Sequence, residues 1–202
     1  MLWERWISEI VADFWSVARV GVASTLGLIG VVSLPRAFVF RINLDDPHPT
    51  PWIRVKLSAA IGNALYPQPV WQKLTELWED YYPPTRLGGE QREVLSVLLE
   101  TMPALVALLV HHRPPALRGR SLVQVLDTQE MHPLRLTALL ARWRERPQEM
   151  YEARPIIAFA AIGQGRAEGT ITPEEEGTVL GKLLAHWALE STLHAMAGCS
   201  RA

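Results

Sequence analysis

The sequence predicts an all-α protein, a helical bundle preceded by an amphipathic and then apolar N-terminal segment. Three observations predict it. Apolar residues recur at three- and four-residue spacing over much of the chain. Prolines fall where helices start or stop, at Pro69, Pro83-Pro84, Pro133 and Pro173. No stretch makes a convincing strand: the nearest, Ala37 to Ile42 (AFVFRI), is short and borders a proline-rich run.

The first helix is marked by Leu2, Trp3, Trp6, Ile7, Ile10, Val11, Phe14 and Trp15 on one face, with Glu4, Arg5, Ser8, Glu9, Asp13 and Ser16 on the other. The indoles of Trp3, Trp6 and Trp15 suit a membrane interface, where a ring is half wet and half dry; they equally suit a protein core. The uncharged run Val20 to Pro35 (VGVASTLGLIGVVSLP) follows, bracketed by Arg19 and Arg36. At 1.5 Å per residue it reaches about 24 Å, short of a ~30 Å hydrocarbon core. Gly27 and Gly30 are small residues of the kind found where membrane helices pack closely, and Arg36 would snorkel to the headgroups. The run therefore either enters a bilayer or forms the central helix of a soluble bundle. The tryptophan face before it favours the bilayer. Arg36, Arg41, Arg54 and Lys56 after the run outnumber Arg5 and Arg19 before it, which puts the bulk of the chain on the cytoplasmic side. The acidic residues before the run and the lack of a small-x-small site after it speak against a cleaved signal peptide.

Residues 43–51, with Pro47, Pro49 and Pro51 at alternate positions, read as an extended strap. Asp45, Asp46 and His48 within it carry metal-ligand chemistry, although such a trio in a proline-rich loop is ordinarily solvated. The expected organisation is a membrane-associating segment over residues 1–42, the strap, and a bundle over residues 52–202.

Trp52 to Tyr66 reads as a helix interrupted near Gly62-Asn63, and Pro69 to Tyr81 as an amphipathic one. Glu90 to His112 is the longest apolar helical run after the N-terminus, with Pro103 expected to kink it or begin a second helix and Ala104 to Val110 expected to be buried all round. His111 and His112 suit a helix C-terminus, where partial negative charge favours them. Ser121 caps a short helix, and Pro133 opens one whose buried face is Leu136, Leu139, Leu140 and Trp143. The arginines of residues 113–146 form the one basic region, open to phosphates of lipid or nucleic acid, but Asp127, Glu130, Glu145 and Glu149 dilute it and it reads as a solvated, salt-bridged face. Leu98, Leu105, Leu109, Leu140, Leu183 and Trp187 are expected to share one core.

The stretch AFAAIGQGRAEGTITPEEEGTVLGKLL carries three glycines, Gly163, Gly165 and Gly169. A phosphate-cradling loop needs a preceding strand and a complete βαβ unit, and only a helix remains downstream. With Gly169 at the sixth position of a calcium-loop pattern, Ile171 falls at the eighth and Glu175 at the twelfth, but Gln164 and Arg166 take the first and third ligand positions. The stretch also resembles the turn between core helices in TerB-like (tellurite-resistance type) domains, with Glu168 at the acidic position and Glu174-Glu175 as the glutamate pair. That resemblance implies a helix–turn–helix of degenerate EF-hand type without tight calcium binding, and it covers only this C-terminal part. Thr172 as cap, Pro173 in the first turn and Glu175 as capping-box partner account for the residues physically. In the last helix His186, Glu190 and His194 form a stripe that could contribute to a metal site, but the two histidines lie about 12 Å apart.

The net charge of −1 gives no global attraction for nucleic acid. The single cysteine, Cys199, excludes an internal disulfide framework and a cysteine-rich zinc site. No Walker loop, nucleophile elbow, HExxH or CxxC occurs. The expected function is that of a membrane-associated, non-catalytic anchor, scaffold or accessory subunit without a cofactor, contacting a protein partner or a second copy of itself. The alternative is a small soluble helical metal-binding protein or enzyme using His and acidic residues from several helices.

Overall fold

The computed structural model describes residues 2–43, 45–126 and 128–199, the side chains of Arg86, His194, Ala195 and residues 197–199 excepted. Among the described residues the chain is a bundle of α-helices and has no strand. After α1 (Leu2–Arg5) come α2 (Ile7–Val20), α3 (Val22–Val32) and α4 (Arg36–Val39). The strap leads to α5 (Pro51–Leu65), α6 (Val70–Tyr81) and α7 (Gly89–His111). Short elements, among them α8 (Leu122–Val125), lead to α9 (Pro133–Glu145), α10 (Gln148–Glu152), α11 (Pro155–Ala167) and α12 (Pro173–Cys199).

Two helices organise the core. α5 packs on α2, α3, α6 and α7, and α11 packs on α2, α3 and α9. α11 approaches closely because its inward residues are small: a Cβ on Gly163 would lie 2.3 Å from the Ala23 Cβ. In α5, Gly62 does not interrupt the helix as expected. It gives way to the Trp71 ring, which lies 2.4 Å from where its Cβ would be. Pro103 does not divide α7, which continues through it with that residue on the exposed side.

The uncharged run is not one helix. Gly21 has φ +62°, a backbone that residues with a Cβ rarely adopt, and it ends α2 and starts α3. The eleven residues of α3 reach about 16 Å, roughly half a bilayer core, so this helix cannot span one. Its first turns are core: Val22 and Thr25 are buried, and the Thr25 and Ser58 hydroxyls share a 2.7 Å hydrogen bond.

Residues of the 2–42 stretch pack into the same core as the helices that follow the strap. Trp6, placed by the sequence at a membrane interface, is 0 % exposed, and its indole N–H donates to the Asp46 carbonyl at 3.2 Å. Trp3 packs edge-on against it and donates to Thr101 Oγ1 at 2.8 Å. Ile10, Phe14, Val17 and Ala18 join the same core as Trp52, Leu98 and Ala160. Trp15 alone of the three tryptophans points outward, at 58 % exposed. An amphipathic face has the same periodicity whether it meets lipid or protein; here α5 and α11 supply the protein along α2, with the strap at Trp6 and α7 at Trp3.

Leu98, Leu105 and Leu109 are buried in the main core, while Leu140 and Leu183 belong to a smaller second cluster with Ala158, Ile162 and Ile171. Trp187 is partly buried against that second cluster, whose main task is to hold α12. The expected all-round burial of Ala104 to Val110 does not hold, since Leu108 is 70 % exposed.

Candidate functional site

The C-terminal half of α3, the turn after it and α4 form an apolar exposed feature of the N-terminal region, beside the exposed Ile7, Val11 and Trp15 of α2. Val31 is 76 % and Phe38 53 % exposed, and Leu34 stands out between them. Gly27 and Gly30 are exposed on the same part of α3. The turn is held rather than loose. The Ser33 hydroxyl donates to the Ile29 carbonyl at 2.6 Å, and Tyr82 Oη donates to the Leu34 carbonyl at 2.9 Å. Arg36 reaches back to the Pro83 carbonyl at 2.7 Å with its guanidinium carbon 4.7 Å over the Phe40 ring. Arg41 is exposed beside the tip. Of the expected interface residues, Gly27, Gly30 and Arg36 therefore cluster here; Trp6 is inside, Trp3 is half-buried, and Trp15 is exposed on α2.

The strap closes against α2 through charge. Asp46 accepts from the His48 backbone N–H at 2.9 Å and is 2.8 Å from its Nδ1. His48 Nε2 lies 3.8 Å from Glu9, and Arg54 grips Asp13 through Nε at 2.7 Å and Nη2 at 2.8 Å while reaching Glu9 at 3.0 Å. The His48 backbone N–H, with its ring, holds the Asp46 carboxyl below its usual range. Asp46 and His48 thus serve as a clip on the strap, and Asp45 lies 3.7 Å from Arg5.

The glycine-rich stretch takes a form the calcium pattern did not anticipate. Gly163 to Ala167 are inside α11, and only Gly169, at φ +71°, turns the chain. Gln164 is buried and donates to Gln68 and Glu168 at 3.2 and 2.8 Å. Glu168 also accepts from Thr137 at 2.8 Å, and Arg166 pairs with Glu176 at 2.9 Å. Glu175 accepts from the Thr172 backbone N–H at 2.8 Å while Thr172 Oγ1 accepts from the Glu175 N–H at 3.2 Å, the expected capping box. Glu168 Oε1 and Glu175 Oε2, which the calcium pattern would use, accept from protein groups, and Arg166 keeps a positive charge in the turn.

His186 Nε2 lies 3.7 Å from Glu190, with its ring edge-on to Tyr151. The side chain of His194 lies outside the described residues. Among the described residues no group of three His, Cys, Asp or Glu is placed to hold a metal. On the arginine-rich face, Arg142 donates to Glu149 at 2.8 Å and depresses its carboxyl pKa, the paired arrangement expected there.

A cavity of about 500 Å³ opens between α2, α3, α11 and α12. It draws two to four residues from each of four helices, which no spacing in the sequence reveals. Among the described residues α7 is the one helix long and apolar enough to cross a membrane, and its inner side is occupied by Leu95, Leu98, Met102, Leu105, Val106 and Leu109 in the core. No family model, curated protein or solved structure matches the chain.

Proposed function

We propose that this chain is a membrane-associated helical protein that works by binding, as an anchor, scaffold or accessory subunit, and that it meets the bilayer with the α3–α4 tip. The observation that carries this reading is the exposed trio Val31, Leu34 and Phe38 on a turn braced by Tyr82 and Arg36. Full burial of such a side chain is worth about 1.5–3 kcal/mol, so three partly exposed ones give a contact of a few kcal/mol, reversible rather than spanning. Arg36 and Arg41 beside the tip suit the anionic cytoplasmic leaflet. α7 fits the role less well, because leaving the bundle would strip its core side. Exposed apolar residues on α12, Leu184, Leu189 and Leu193, and Leu108 on α7 give a protein partner or a second copy places to dock.

The test is flotation of the purified full chain with phosphatidylcholine–phosphatidylserine vesicles. The wild type should float, and a variant carrying Val31→Asp and Phe38→Asp should stay at the bottom while keeping its helical circular dichroism. Equal flotation of both proteins, or none by the wild type, would refute the reading.

A further inference from the structure

The cavity between α2, α3, α11 and α12 has the dimensions and lining of a small-molecule site. At about 500 Å³ it falls within the range of roughly 300–1,000 Å³ typical of such sites. Leu26, Phe159, Ile162 and Leu180 make its walls apolar, and Gly27 leaves it open, since a Cβ there would meet nothing within 4 Å. Its polar groups are of two kinds. The Ser16 and Ser24 hydroxyls are joined at 2.8 Å, and Arg166 pairs with Glu176 across the gap between α11 and α12.

These groups define the ligand. The ion pair neutralises itself, so the cavity presents no net charge. Hydroxyls, a guanidinium and a carboxylate together offer both donors and acceptors to a neutral head. A ligand carboxylate would approach Arg166 only by also approaching Glu176, which lowers its affinity. We propose that the cavity binds a neutral single-chain amphiphile, an aliphatic chain with a hydroxyl-bearing head. The chain lies against Leu26, Phe159 and Leu180, and the head exchanges hydrogen bonds with the serine pair and the ion pair. α12 supplies Glu176 and Leu180, and it is fastened by the small second cluster, so this wall is the one that yields to admit a ligand. None of Val31, Leu34 and Phe38 lines the cavity, so the inference stands independently of the membrane reading.

Calorimetric titration of the full chain, without vesicles and below micellar concentrations, tests it with 1-monodecanoylglycerol and decanoate. The ester should bind one per chain, and decanoate about tenfold more weakly or worse. Gly27→Phe should fill the cavity and weaken ester binding by about tenfold or more with the fold kept. Ser24→Val, which removes a head contact and leaves the chain site open, should weaken it several-fold and serves if Gly27→Phe does not fold. No binding of the ester, decanoate binding as tightly, or unchanged affinity in a folded variant would each overturn the proposal. Vesicle flotation of Ser24→Val, a position outside the α3–α4 tip, should match the wild type, which separates failure here from failure of the membrane reading.

Discussion

Among the described residues α7 and α3 are the long and the short apolar helix, and they divide their apolar residues in different ways. α7 divides by face: Leu95, Leu98, Met102, Leu105, Val106 and Leu109 form an inward stripe along its length, and Val97 and Leu108 look outward. α3 divides by end: Val22 and Thr25 are deep in the bundle, and Val31, two turns further on, is almost fully exposed. Composition alone would nominate α7 as the membrane helix, because it has the length. Under the proposed reading α3 is the contacting helix, because its exposed end could meet lipid without removing anything from the core. A half-buried apolar helix can therefore serve as both foundation and contact, which a uniformly buried or a uniformly exposed one cannot.

The largest expected effect lies at the tryptophans that precede α3. Trp6→Ala should cost ~3–5 kcal/mol of stability in chemical denaturation, as for a fully buried indole, while Trp15→Ala should stay within about 0.5 kcal/mol. Equal small effects would return Trp6 to an interface and separate residues 1–42 from the bundle.

Next comes the division of α7. Leu98→Ala should cost ~2–5 kcal/mol and Leu108→Ala less than about 0.5 kcal/mol. A large loss at Leu108 would mean that the outer side of α7 is covered in solution by a second copy, and that loss would then depend on protein concentration.

At the foundation of α3, Thr25→Val should cost ~1–3 kcal/mol, because it leaves the buried Ser58 hydroxyl short of a partner. The double variant Thr25→Val, Ser58→Ala should recover most of that loss, since an apolar pair leaves nothing unsatisfied. If the single variant is neutral, this end of α3 is wetter than the packing indicates.

The smallest effect concerns the strap beside the tip. Asp46 has a carboxyl pKa below its ordinary 3.8 in the folded chain, so it contributes while ionised. That contribution is present above the unfolded-state value and is lost as pH falls through the folded-state one. Amide protection in residues 45–50, corrected for intrinsic exchange, should fall below about pH 4, and Asp46→Asn should remove that dependence. Protection unchanged down to pH 2 would show that the Trp6 and Thr50 hydrogen bonds and the prolines hold the strap without the Asp46 carboxylate.

Helix positions were legible wherever a local signal exists. Pro133 and Pro173 open α9 and α12, Ser121 and Gln124 form a capping box at α8, and Thr172 with Glu175 forms another at α12. The fold class followed from the same periodicities. What stayed hidden depends on neighbours distant in sequence. Gly62 and Gly163 look like helix breakers until Trp71 and Ala23 are seen against them. Trp6 looks interfacial until Asp46 accepts its N–H. The candidate tip was half legible: Gly27, Gly30 and Arg36 were singled out, while the exposure of Val31, Leu34 and Phe38 depends on Gly21 redirecting the chain. The cavity was illegible, because Ser16, Gly27, Phe159 and Glu176 belong to four separate helices.

The most direct test of the α3 reading compares the two helices in one experiment. Single cysteines replace Val31 on α3 and Leu108 on α7 in a Cys199→Ser background, and each carries an environment-sensitive nitrobenzoxadiazole. On adding phosphatidylcholine–phosphatidylserine vesicles, the label at 31 should shift to the blue and become quenchable by spin-labelled lipid, while the label at 108 should stay aqueous. A blue shift at 108 and none at 31 would make α7 the membrane-contacting helix and contradict the account.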